Sequence, residues 1–249
     1  MSSTATFVKS DPDAPTGFFE SEARGLRWLA QVDGGVPVVD VLNVSASQIV
    51  LRRLNPVAPT TAQAEQLGRM LAHTHRAVAP SWGRDDGDGF IGPLPLANGP
   101  FESWPALWWS GRVQPYLRRA VDAGLLTAND AVGVERAVRR RSQEVPADGP
   151  RRVHGDLWSG NVIWTAQGPV LIDAASAHGG HPECDLAMLA LFGLAHLDRV
   201  RAAYGEVDPL ELGWRERVPL MQLHPLLVHV VLFGNAYVGR LREAVRALS

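Results

Sequence analysis

Apolar residues at Phe19, Ala23, Leu26 and Leu29–Ala30 recur at helical spacing and predict a helix over Phe18–Gln31. Ahead of it, Thr6–Val8 is short and β-prone and ends at Lys9; Asp11–Gly17 is a turn-rich connection. Behind it, the apolar, β-branched stretches Val36–Val44 and Gln48–Leu54 predict two strands, and Asn55–Pro59 reads as a hinge. Leu67, Met70, Leu71 and His75 share one face of a helix predicted over Thr60–Ala79, capped by Thr60 or Thr61. Phe101–Gly124 and Thr127–Glu144 read as two more helices. Pro80–Pro100, rich in Gly, Pro and Asp, reads as a loop, and Pro146–Pro150 as a short breaker. Val153–Ile172 is a loop flanked by short strands. From Pro182 onward the pattern is mostly helical and ends in a long apolar helix over Leu223–Leu248.

Strand, helix, strand, strand and then helices predict an α+β, protein-kinase-like fold of two lobes. The expected division is a short N-terminal β lobe over 1–54 and a mainly helical C-terminal lobe over 55–249. A chain of 249 residues fits one large domain or two lobes sharing an interface. The formal net charge of −2, with both signs mixed, gives no general pull toward nucleic acid or an anionic membrane. No unbroken apolar run reaches about 18 residues, so no membrane-spanning helix is expected. The start, MSSTATFVKSD, has no apolar signal core. Cys184 is the sole cysteine, which rules out an internal disulfide and points to the cytoplasm.

The chemistry concentrates in V-H-G-D-L-W-S-G-N-V at Val153–Val162, followed by V-L-I-D-A at Val170–Ala174. Kinase-like phosphotransferases use an Asp, an Asn five residues on and a second Asp after a strand to deprotonate a hydroxyl and hold metal against ATP phosphates. Asp156 is therefore the candidate general base, and Asn161 and Asp173 the candidate Mg²⁺ ligands through hard oxygens. Gly155 and Gly160 would permit the sharp backbone of this loop. Lys9 on a strand and Glu22 on the next helix form a second constellation, in which the Glu holds a Lys that meets ATP phosphates. Lys9 is the only lysine in the chain. Taken singly each residue is ordinary, a turn-capping Asp or a solvated strand Lys; it is their order that makes the reading.

Other residues draw blander readings. His73 and His75, two apart on a helix, point to different faces. His178 and His181 with Glu183 lack a zinc-site pattern. His75 and His229 read as hydrogen-bonded core histidines, and Trp104, Trp108 and Trp109 as core. Trp158 lies inside the catalytic loop, where an indole could stack on a sugar or simply pack.

These motifs resemble the fructosamine/ketosamine kinases, a branch of the aminoglycoside-phosphotransferase superfamily. H-G-D-L-W-S-G-N at His154–Asn161 is similar to that family's catalytic loop, D-L-A-M at Asp185–Met188 to its next block, and F-V-K at Phe7–Lys9 and F-E-S-E-A at Phe19–Ala23 to its small-lobe motifs. The tail Leu220–Gly239 is also similar. The resemblance implies ATP- and Mg²⁺-dependent phosphorylation of the 3-hydroxyl of a ketosamine, either a small molecule or a glycated protein, with breakdown of the product freeing the amine. It also implies that Asp185 braces the catalytic loop. Ala174 and Pro182 stand where the family usually has Pro and Arg.

Kinase-like small lobes place a glycine-rich hairpin ahead of the Lys strand, and a hairpin needs about 12–15 residues. Only eight residues precede Lys9, none of them Gly. The expectation is either a start codon further upstream or a shortened kinase with an exposed edge strand. Two alternatives stay open: a phosphotransferase for another small alcohol such as an aminoglycoside or amino sugar, with Asp85–Asp88 as acid near a polycation, and a non-catalytic nucleotide-binding module.

Overall fold

The computed structural model describes residues 5–249; residues 1–4, assigned above to the N-terminal lobe, lie outside the described part. The chain opens with an antiparallel sheet in the order β1 (Thr6–Ser10), β3 (Gln48–Arg52), β2 (Val41–Ser45), with α1 (Phe18–Leu29) between β1 and β2. Lys9 stands opposite Ile49 in the register of β1 and β3. Among the described residues nothing pairs with the other edge of β1, where Phe7 and Val8 are 47% and 49% exposed.

The first expected strand of the β2–β3 pair is shorter than the sequence suggests. Residues 36–39 leave the sheet and cross to the C-terminal half, where Val39 N–H donates to the Leu171 carbonyl at 2.9 Å and Leu171 N–H donates to the Pro37 carbonyl at 2.8 Å. A β-branched run satisfies its backbone equally well with either partner, so its composition did not reveal the crossing.

Phe19, Ala23, Leu26 and Leu29 of α1 are buried as their spacing predicts, and Ala30, just past the helix end, is exposed. Their core takes in Val39, Ile49 and Leu51, and also Ala174 and Ala177 from the far half. Gly25 is what lets α1 lie so close: a Cβ there would fall 1.8 Å from the Ala174 carbonyl oxygen.

Helix α2 (Thr61–Arg76) starts in a capping box, with Gln63 N–H donating to Thr60 Oγ1 at 3.2 Å and Thr60 N–H to Gln63 Oε1 at 3.2 Å. Leu67, Leu71 and His75 are buried as expected, while His73 is exposed. The segment expected as a loop contains a small hairpin, β4 (Gly89–Ile91) and β5 (Leu94–Leu96). Its strands are three residues each and rich in Gly and Pro, too short for a periodicity to register. The next helix runs as α3 (Trp104–Ala106), a widened π turn (Leu107–Val113) and α4 (Gln114–Asp122), followed by α5 (Ala128–Arg141). The π turn ends beside Pro115, which has no N–H to offer the Gly111 carbonyl; Arg112 Nη1 donates to that carbonyl instead, at 3.1 Å.

Strand β6 (Arg151–Val153) pairs with β9 (His178–Gly180), and β7 (Val162–Thr165) with β8 (Gly168–Leu171). Helices α6 (Glu183–Phe192), α7 (Leu197–Val207), α8 (Trp214–Phe233) and α9 (Val238–Ala247) complete the chain. The last helix of the sequence reading is thus two helices, broken at Gly234 with φ 68°, and the first begins at Trp214 and runs through Pro219 and Pro225. The apolar stretch Trp214–Ala247 is interrupted at Gly234, and half of its most apolar window is buried inside the protein. Leu220, Leu223, Leu227 and Val230 of that stretch are buried in the main core.

Gly25→Ala is expected to destabilise the fold by about 1–3 kcal/mol through overpacking against Ala174. Gly239→Ala, where a Cβ meets nothing within 4 Å, should not. Urea midpoints of the two variants make the comparison, and equal midpoints would contradict this account of the α1 contact.

Candidate active site

The loop after β6 is held from beneath by one carboxylate. Asp185, 1% exposed in the first turn of α6, accepts hydrogen bonds from His154 N–H at 2.8 Å and Gly155 N–H at 2.9 Å. It also meets His75 Nε2 at 3.1 Å, and His75 Nδ1 lies 3.1 Å from the Tyr204 hydroxyl. Burial by itself would raise the Asp185 pKa. The hydrogen bond and charge of His75, with the His154 backbone bond, more than offset this and hold it below the usual carboxylate range.

Gly155 has φ 81°, and a Cβ there would lie 2.3 Å from the Ser176 carbonyl oxygen, so the expected sharp turn is present. Gly160 serves a different end: the Trp158 indole lies over it, 2.4 Å from where a Cβ would stand. His154, which the sequence reading left without a role, joins the two halves of the site. Its Nδ1 accepts from Asp156 N–H at 3.3 Å and its Nε2 donates to the Ile172 carbonyl at 2.9 Å, which sets a neutral tautomer. The H-G-D triplet was the available signal for it.

Asp156 is half-buried. Burial pushes its carboxyl up to about 6, and the carboxylates of Asp173 and Asp185 add to the rise against His154 and the Asn161 hydrogen bond. Asn161 Nδ2 donates to the Asp156 carbonyl at 2.8 Å, which fixes the amide plane and turns Oδ1 the other way. Asp173 follows β8 by two residues with φ 60°, a left-handed conformation that Asp tolerates better than most residues.

Lys9 Nζ donates to Glu22 Oε2 at 2.8 Å and lies 3.4 Å from Asp173 Oδ1, so the small sheet, α1 and the end of β8 meet at one ammonium. Burial works against that ammonium, but Asp173 and Glu22 outweigh it and its pKa is raised. Burial and the Asp173 charge raise Glu22, against the pull of Lys9, and Glu22 Oε1 has no partner. Around the loop stand the acids Asp156, Asp173, Glu22 and Asp185, with Lys9 paired to Glu22 and Asp173 and His75 to Asp185. The hard oxygens of Asn161 and Asp173 fit a Mg²⁺ ion that keeps water and phosphate oxygens as its other ligands. No group of three or more His, Cys, Asp or Glu among the described residues could hold a metal. His178 Nδ1 donates to the Ser176 carbonyl, His181 Nε2 donates to the Pro146 carbonyl and Glu183 is bonded by Arg217, so this trio is spent on structure.

Asp156, Asn161, Asp173 and Lys9 line a cavity of about 570 Å³, within the range of roughly 300–1,000 Å³ that suits small ligands. Trp158, 40% exposed, forms part of its rim and meets Phe192 edge-to-face at 6.2 Å. His229 also lines it, stacked among Phe192, Phe233 and Tyr237, and so is not simply a core histidine. Trp104 and Trp108 are buried and stacked at 4.9 Å as expected, though Trp108 reaches the cavity wall. Sequence reasoning missed Phe90 and Ile91 of the hairpin and Arg112 and His224 of the inner wall, because nothing local marks them as neighbours of Asp156.

The family model for fructosamine kinase matches residues 1–249. A Thermus thermophilus protein named "probable ketoamine kinase" is 37% identical over 96% of this chain and 86% of its own length. An Enterococcus faecium protein of the same description is 33% identical over 94% of this chain and 83% of its own. The crystal structure of a candidate fructosamine-3-kinase from Thermobifida fusca superposes with a TM-score of 0.94 at 49% identity, covering 98% of this chain and 85% of that one. An aminoglycoside phosphotransferase bound to ADP and hygromycin B superposes at 0.62 with 18% identity, over 97% of this chain and 85% of that one, a likeness of fold.

Asp185→Ala leaves His75 and two backbone N–H groups without their acceptor. A loss of roughly 3–5 kcal/mol is expected, as for breaking a buried pair. The Asp185 contribution should be complete above the unfolded value of about 4 and fade as pH falls through the lower folded value. Denaturation of wild type and variant at pH 7 and pH 3 checks both: the gap between them should narrow in acid.

Proposed function

The chain belongs to the fructosamine kinase family, and on that premise we propose that it transfers the γ-phosphoryl group of ATP to the 3-hydroxyl of a ketosamine. It is an ATP-dependent small-molecule kinase; the acceptor, the reacting hydroxyl and the residue roles are our reading. The observation that carries this reading is Asp156, a carboxylate with its pKa pushed up to about 6, lining the same cavity as Lys9, Asn161 and Asp173.

Asp156 takes the proton from the 3-hydroxyl as that oxygen attacks the γ-phosphorus. The new O–P bond forms as the bond to the ADP oxygen breaks, with Asp156 left protonated. A base with a pKa near 6 is ionised at neutral pH yet basic enough to share the proton in the transition state. Lys9, steered by Glu22, meets the α- and β-phosphates and gives up its contact with Asp173. Asn161 Oδ1 and the Asp173 carboxylate would hold Mg²⁺. When bound, the ion supplies positive charge at the phosphate oxygens and offsets the acidic excess of the site. Trp158 offers an indole face to the apolar side of the sugar. Breakdown of the 3-phosphate would free the amine, a deglycation.

The cavity wall beyond Asp156 and Asp173 carries no carboxylate, which suits a ketosamine better than a polycationic aminoglycoside. The exposed Asp85–Asp88 loop lies outside it, with Asp86 paired to Arg84.

Asp156→Asn should lower kcat by about 10²–10⁴ with the melting temperature retained. Lys9→Met should raise KM for ATP. ADP release with Mg²⁺, ATP and a panel of ribulosamines, erythrulosamines, fructosamines and aminoglycosides reads both. Turnover by Asp156→Asn within a few-fold of wild type would remove Asp156 as the base.

A further inference from the structure

The end of α8 and the turn after it build an aromatic cluster on the cavity, at a distance from the phosphoryl-transfer chemistry. His229 and Phe233, four residues apart, share one face of the helix with ring centroids 5.3 Å apart. Gly234, with φ 68°, ends the helix. The short turn Gly234–Tyr237 then brings the Tyr237 ring back to 4.8 Å from His229 and 5.9 Å from Phe233. Phe192 of α6 stands 4.6 Å from His229 and meets the Trp158 indole edge-to-face at 6.2 Å. All five rings line the cavity that holds Asp156. They form a path that starts at the catalytic loop and ends at Phe233, which is packed on one side and 59% exposed. A lone exposed Phe is ordinary on a protein surface; this one borders a cavity.

The path carries no charge. Lys9, Asp156 and Asp173 gather at the loop. Arg112, the other charged residue on the wall, is 1% exposed and gives its Nη groups to the Ala97 and Gly111 carbonyls and to Asn98. His229 is the one basic member of the cluster. It donates Nδ1–H to the Pro225 carbonyl at 2.7 Å, and burial, helped by the charge of Arg240, holds its pKa below the ordinary value. At neutral pH it therefore presents an uncharged ring.

The covalent structure of a ketosamine decides what reaches this path. The reacting oxygen is on C3 and the nitrogen on C1, so a sugar held with its 3-hydroxyl at Asp156 and its apolar side on Trp158 keeps the nitrogen near the loop. The group that the nitrogen carries then extends along the rings. A charged group there would give up water and gain no partner. A saturated group would gain burial alone, whereas an aromatic one adds stacked or edge-to-face contacts to that burial.

We propose that Phe192, His229, Phe233 and Tyr237 form the amine-side subsite, and that the preferred acceptor is a ketosamine whose nitrogen carries an uncharged aromatic group. This rests on the ketosamine-kinase reading. The amine freed after transfer is then an arylalkyl amine, and the supplying reaction is condensation of that amine with an aldose followed by rearrangement.

Steady-state kinetics on three ketosamines of one sugar test it, made from benzylamine, from cyclohexylmethylamine of matched size, and from glycine, which places a carboxylate on the amine side. Wild type should favour the benzyl over the cyclohexylmethyl compound by about two- to tenfold in kcat/KM, chiefly through KM, and should use the glycine compound least. Phe233→Ala should bring the benzyl-to-cyclohexylmethyl ratio close to one, and Phe233→Tyr, which keeps a ring, should retain most of it. Leu212→Ala, which removes an apolar side chain 95% exposed outside the cavity, should leave the ratio as in wild type. Equal use of the benzyl and cyclohexylmethyl compounds by wild type overturns the proposal, as does a preference for the glycine compound. So does a Phe233→Ala variant that keeps the wild-type ratio or slows all three substrates alike. If no ketosamine is turned over, the acceptor reading fails and the subsite is judged by calorimetric binding of the benzyl and cyclohexylmethyl compounds. Tighter binding of the benzyl compound to wild type, lost in Phe233→Ala, upholds the subsite; equal binding or none overturns it.

Discussion

The buried carboxylate of Asp185 is the constraint on which the site depends. It is withdrawn from water at the start of α6, where the helix terminus favours negative charge. It can remain ionised there only while three donors reach it, from His154, Gly155 and His75. Two of those donors are the backbone of the loop after β6 and the third is the inner face of α2, itself tied to α7 through Tyr204. The position of Asp156 is thus set by packing among α2, α6 and α7, well away from the reacting atoms. His154 extends the arrangement to Ile172, so the loop and the segment bearing Asp173 move together.

The N-terminal sheet and helix join this frame by a different device. No long interlobe helix holds them. The joint consists of the bare backbone of α1 at Gly25 pressed on Ala174, the crossing strand at Val39 and Leu171, and the ammonium of Lys9 between Glu22 and Asp173. The first two are apolar or backbone contacts that do not depend on ligand. The last is an ion pair between the small sheet and the segment after β8, for which we propose that nucleotide phosphates compete. Backbone and apolar contacts therefore surround an ion pair at the joint.

Electrostatics divide the cavity into two ends. Close to the loop the acids outnumber their one lysine, and Asp156 is driven toward protonation until cations are supplied. On the inner wall Arg112 bonds only neutral acceptors, with Asp88 the acid whose charge favours it.

Amino-acid order alone determined the helical face of α1, the capped helix α2, the Lys9–Glu22 pairing and the set Asp156, Asn161 and Asp173, because these depend on local periodicity or short spacings within a recurring motif. It also determined the family, since the specific string His154–Asn161 carries its own chemistry. The tertiary structure decided what those spacings cannot encode. It turned residues 36–39 from the small sheet to Leu171, ran α8 through Pro219 and Pro225, and built a hairpin from a stretch that reads as loop. It gave His154 and His75 their partners 18 and 110 residues away, and placed Arg112 and His224 on the wall of Asp156's cavity. Backbone groups and buried charges must find partners somewhere, and when the partner lies on another element the requirement is satisfied in three dimensions with no trace in the local pattern.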